Sequence, residues 1–106
     1  MDMLRYNYQT MLKRSKSLTY RAEITEMTEI LMSFLKDNKL IRLDPFSEDG
    51  SLKSDLVLHS SDLTDAGNAL FLQSYPKWSE YIDRGGDAKN IKILSAGLKK
   101  ILSNLE

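Results

Sequence analysis

Apolar residues recur along most of this chain at the three-and-four spacing of a helix, and the rhythm changes in one central stretch. In residues 2–14, Leu4, Tyr8, Met11 and Leu12 share one helical face, with Tyr6 lying off the stripe. A second face carries Tyr20, Ile24, Met27, Leu31 and Phe34, widened by Ile30 and Leu35. Its opposite side holds Glu23, Glu26, Glu29, Ser33 and Lys36, and the pair Asp37-Asn38 ends it. A third face carries Gly67, Leu70, Phe71, Ser74, Trp78, Tyr81 and Ile82. Pro76 interrupts it and predicts a kink or short break near 73–76. The last, Ile91, Leu94, Leu98, Ile101 and Leu105, is a narrow seam that reads as a packing face rather than a coiled coil.

The predicted helices are 3–14, 19–37, 63–84 and 88–104. Ser15-Lys16-Ser17 is a polar break, and Ser17 or Thr19 is the expected cap of the second helix. Thr64 is the expected cap of the third, Gly85-Gly86 its end, and Asp87 the cap of the fourth. Between the second and third helices, Leu40-Ile41-Arg42-Leu43 and the alternating run Asp55–His59 predict strands at 40–43 and 55–59. The polar loop 44–54 turns at Asp49-Gly50 between them, so the pair reads as a β-hairpin. The expected core is Ile24, Met27, Leu31, Phe34, Leu56, Leu58, Leu70, Trp78, Leu94, Leu98 and Ile101.

At 106 residues with 42% apolar content, the chain is expected to be one domain, 1–106, of α+β class and mostly α. Its apolar runs are only a few residues long, far short of the ~20 a membrane span needs. Met1-Asp2-Met3 does not open a signal peptide, so a cytoplasmic location is expected. Without cysteine, no disulfide or thiolate metal site forms, and the single histidine, His59, builds no zinc site alone. Glu48-Asp49-Gly50 is the nearest approach to a calcium loop, but the first and last ligand positions fall on Pro45 and Leu56. Arg84-Gly85-Gly86-Asp87 lacks the Lys and Ser/Thr of a phosphate loop. His59 stands beside Ser60 and Ser61 with no third triad member in view. No enzyme activity, metal or cofactor is expected.

Two resemblances bear on function. Leu40-Ile41, Asp49-Gly50 and Leu63-Thr64-Asp65-Ala66-Gly67 resemble the wing region of MarR-type winged-helix proteins, which implies about four helices, one β-hairpin and a winged-helix-like core. Residues 63–105 are similar to the C-terminal part of small bacterial immunity proteins that accompany contact-dependent growth-inhibition and other polymorphic toxins. Leu63-Thr64-x-x-Gly67, Lys77-Trp78, Asp83-Arg84 and the final amphipathic helix carry that likeness, from which Pro76 departs. It implies a protein that binds a cognate toxin, often a nuclease, and blocks its active site or substrate surface.

Charge separates the two. The net charge is zero, yet residues 1–21 carry five bases against Asp2, and residues 22–67 carry ten acids against four bases. The helix that would enter a DNA groove bears Glu23, Glu26, Glu29 and Asp37, and the following loop adds Asp44, Glu48 and Asp49. That surface repels phosphates and suits a basic protein. The expectation is therefore an immunity protein gripping a basic nuclease toxin through these seven acids, with nucleic acid and membrane not expected as partners. The alternative is a winged-helix DNA-binding transcriptional regulator.

Overall fold

The computed structural model describes residues 2–13 and 18–105, with the backbone alone at 18–20 and 105. The chain runs β1 (Leu4–Asn7), α1 (Tyr8–Lys13), α2 (Leu18–Asp37), β2 (Val57–His59), a 3-10 turn (Ser60–Asp62), α3 (Asp65–Gln73), α4 (Tyr75–Asp83) and α5 (Lys92–Leu105). The class is α+β and mostly helical, as the hydrophobic rhythm predicts. All eleven expected core residues are buried, in one cluster that also takes in Tyr6, Tyr8, Met32, Leu35, Leu40, Leu63 and Phe71. The expected break at Ser15–Ser17 and the Ser17 cap lie outside the described residues, and Thr19 sits within α2 rather than at its cap.

The strand pairing differs from the hairpin expected at 40–43 and 55–59. β2 pairs antiparallel with β1, in the register Leu4 with His59, Tyr6 with Leu58 and Asn7 with Val57. Residues 4–7 are therefore strand where helix was expected, and α1 keeps only the second half of the predicted 3–14. Within the strand, Tyr6, off the helical stripe, is buried, and Leu4, on the stripe, is exposed. Residues 40–43 contribute a single bridge, Ile41 to Leu63, and the loop beyond closes on another, Phe46 to Leu52, so no wing of paired strands forms.

The end of α2 explains why. Lys39 adopts a left-handed φ of 57°. The Leu40 N–H donates to the Leu35 carbonyl (2.9 Å) and the Lys39 N–H to that of Lys36 (3.1 Å). This double closure turns the chain sharply at the helix end. It delivers the Leu40 carbonyl to the start of α3, where the Thr64 N–H donates to it at 2.9 Å. The Thr64 hydroxyl then accepts from the Gly67 N–H at 3.1 Å, the predicted cap. A Cβ on residue 67 would press into the Leu40 carbonyl oxygen, so glycine is required there by packing. The Leu63-Thr64-x-x-Gly67 motif is accounted for as a joint between α2 and α3.

The predicted break in the third helix falls at Ser74, between α3 and α4. Pro76 occupies the first turn of α4, where its missing N–H costs no helical bond. Gly85 (φ 97°) closes α4 as expected, with Gly86 N–H donating to the Tyr81 carbonyl at 3.0 Å. Asp87 does not cap α5, which starts later, at Lys92. Its Oδ1 accepts from the Lys89 N–H (2.9 Å) in the intervening turn, while Asn90 Oδ1 accepts from the Lys92 N–H (3.2 Å). Trp78, fully buried, donates its indole N–H to the Asn90 carbonyl (3.2 Å) and so ties α4 to the approach of α5.

Candidate functional site

The seven acidic residues expected at the partner surface sort into two groups. Glu23, Glu26, Glu29 and Asp37 project from the outer side of α2, opposite the buried Ile24, Met27, Leu31 and Leu35. With Glu48 in the following loop they are exposed and form no side-chain hydrogen bond or ion pair with the described residues. Three-residue steps place the first three in one row, where like charges destabilise a helix slightly.

Asp44 and Asp49 are engaged within their loop. Asp44 Oδ1 accepts from the Phe46 N–H at 3.0 Å and lies 3.4 Å from Lys36 Nζ. The Phe46 amide first, and then the Lys36 ammonium, hold its carboxyl below the usual carboxylate range. Lys36 also sits over the Phe46 ring, 5.6 Å from its centroid. Asp49 Oδ1 accepts from the Ser51 hydroxyl (2.7 Å) and amide (3.0 Å), in that order of effect on its lowered pKa. Both aspartates shape the loop, which leaves their charge on the surface but fixes its direction.

Three open depressions follow the outer side of α2. Glu23 and Glu26 face Ile82, Asp83, Gly85, Gly86, Asp87 and Ala88 across one of about 320 Å³. Glu29, Ile30, Ser33, Phe34 and Asp37 face Lys89, Ile91 and Ser95 across the next, of about 600 Å³. On the other flank, Ser33, Lys36 and Asp37 meet Asp44, Phe46, Ser47 and Glu48. The fold thus gathers six of the seven predicted residues along these depressions; Asp49 does not line them. It adds Asp83 and Asp87, which a count along the sequence assigns to a mildly basic C-terminal third. Only the helix-to-helix packing could have brought them beside Glu23 and Glu26.

The other candidates of the sequence resolve into structural roles. The Ser60 hydroxyl donates to Asp2 Oδ1 (3.1 Å) and accepts from the Met3 N–H (3.0 Å), so it is not poised as a nucleophile. His59 Nδ1 lies 3.8 Å from Asp62 Oδ2, which accepts from the His59 N–H at 2.9 Å and closes the turn. Among the described residues no three His, Asp or Glu side chains converge on a position that could hold a metal ion. None of the described helices is long and apolar enough to cross a membrane. No protein-family model, curated protein or solved structure matches the chain.

Proposed function

We propose that this chain is a stoichiometric binding protein of the immunity type, which neutralises a basic, nucleic-acid-directed bacterial toxin by covering it with the acidic face of α2. The observation that carries the reading is the row Glu23, Glu26 and Glu29, exposed and without a partner among the described residues. Such a row costs the helix a little stability and makes no side-chain hydrogen bond or ion pair among the described residues. Facing a nuclease that grips phosphates with lysines and arginines, it supplies the complementary potential that speeds and orients association. The likeness of residues 63–105 to immunity proteins supplies the class of partner.

The test is charge reversal. Glu23→Lys, Glu26→Lys and Glu29→Lys together are expected to slow association with a basic nuclease toxin and to reduce protection against it. Wild-type association should slow as salt rises, because screening weakens steering beyond ~10 Å. Each exposed change should alter stability by only ~0.5 kcal/mol, so loss of protection will not reflect unfolding. Duplex DNA is titrated beside it. Micromolar or tighter duplex binding in physiological salt, strengthened by the triple change, would replace this reading with the winged-helix transcriptional regulator.

A further inference from the structure

Two of the depressions along α2 abut. One ends at Glu26 and Ala88, and the other begins at Glu29 and Lys89. Together they form a trough with α2 as one wall and the segment 82–95 as the other. From Glu23 to Asp37 the α2 wall is about 21 Å long at 1.5 Å per residue. Its floor is apolar and half-buried at Ile30, Ile82 and Ile91, with Phe34 beneath. Glu23, Glu26, Glu29 and Asp37 stand on the α2 rim. Asp83 and Asp87 face the first two of them and Lys89 faces Glu29 and Asp37; the second wall also holds Lys92 and Arg84, the latter paired with Glu80.

We propose that this trough seats a basic amphipathic helix of the partner, its apolar stripe on the isoleucine floor and its lysines or arginines against the carboxylates. The proposal rests on the toxin-binding reading above and specifies the part of the partner that is held. Charge complementarity selects the occupant. An acidic or neutral helix gains nothing from six carboxylates, and a purely electrostatic partner has no use for the isoleucines between them. An α2-length trough matches a helix of about 14 residues, whose anchors at i, i+3, i+4 and i+7 form one stripe.

The probe is a 14-residue leucine–lysine peptide with leucines at helical spacing, and its control carries the same residues in strict alternation. Titrated into the isotopically labelled full chain, the helical peptide is expected to bind at micromolar affinity and to move the amides of 23–37 and 82–95. Ile30→Ser with Ile91→Ser leaves the charge unchanged and is expected to weaken binding by about tenfold or more. Ser33→Trp, at an exposed position on the wall, blocks the trough without touching the core and is expected to do the same. Equal affinity of wild type and both variants, equal binding of the alternating control, or amide shifts centred on the 44–49 loop would overturn the seat. If both variants still neutralise the toxin while the lysine triple does not, the function stands and the trough is not its site. If the triple protects like wild type while the peptide still seats as described, the toxin reading fails and the trough remains a site for basic helices.

Discussion

The C-terminal helices and the N-terminal strand reach the same core by different routes. In α3 to α5 the contacts that fix position stay within the run of C-terminal helices: Trp78 donates to Asn90 twelve residues on, and α5 crosses the α3–α4 junction where Gly97 meets Ser74. β1 is fixed by a strand from another part of the chain instead. Its Leu4 pairs with His59, and Tyr6 bonds Thr28 across α2. An aromatic row then ties it to the helices, with Tyr6 edge-on to Phe71 and Tyr75 at centroid distances of 6.4 and 5.9 Å. The difference teaches where rhythm along a sequence suffices. It specifies elements that bury a stripe against near neighbours, and it is silent about a strand whose partner lies fifty residues away.

The sharpest way to test the helical side is Trp78→Ala. Full burial predicts a loss of about 3–5 kcal/mol in chemical denaturation, as for large-to-small changes elsewhere in cores. A loss below ~1 kcal/mol would mean that the helices do not depend on their shared centre.

Gly97→Ala asks how tightly the helices cross. A Cβ there overlaps the Ser74 hydroxyl and approaches Ser74 Cβ to 2.7 Å. Overpacking of this kind costs about 1–3 kcal/mol, whereas in an open helix the same change gains roughly 0.8–1.0 kcal/mol. The sign of the measured change therefore decides whether α5 and the α3–α4 junction are in close contact.

The strand side is tested more gently by Tyr6→Phe. Thr28 Oγ1 donates to the Ile24 carbonyl at 2.7 Å, so at the 2.6 Å contact Tyr6 is the donor. Losing that bond should cost about 0.5–1.5 kcal/mol. The variant also predicts a pH effect. Burial first pushes the Tyr6 hydroxyl well above its ordinary value of 10.0, so the folded state keeps its proton after the unfolded chain releases it. Stability from this group is complete below about pH 10 and falls as pH rises further. Tyr6→Phe should flatten that alkaline decline, and Tyr75, raised by its own burial, should leave a remainder.

The same contrast marks what was legible. The α2, α3 and α5 faces, the Thr64 cap, the Ser74 break and the Gly85 end all follow from spacing and turn chemistry within a few residues. The left-handed turn at Lys39 did not, because its lysine gives no such signal and Asp37-Asn38 reads as a sufficient stop. Nor did the seat of the N-terminal tyrosines: Thr25 and Thr28 look like ordinary polar positions until Tyr8 and Tyr6 bond their hydroxyls, at 2.8 and 2.6 Å. For the candidate surface, the row on α2 was visible as a spacing of three. Asp83 and Asp87 were not, since only folding places them opposite Glu23 and Glu26.

The pairing of β1 with β2 also sets a delay during synthesis. Asn7 leaves the ribosome 50 residues before Val57, its partner. At about 5–20 residues per second, the first strand waits roughly 2.5–10 s for a neighbour. Through that interval Leu4 and Tyr6 have no sheet to join, and α2, with the Thr28 that Tyr6 will bond, is made only partway through it. The β1 segment thus stays open to capture by chaperones until its partner strand, ending at His59, emerges.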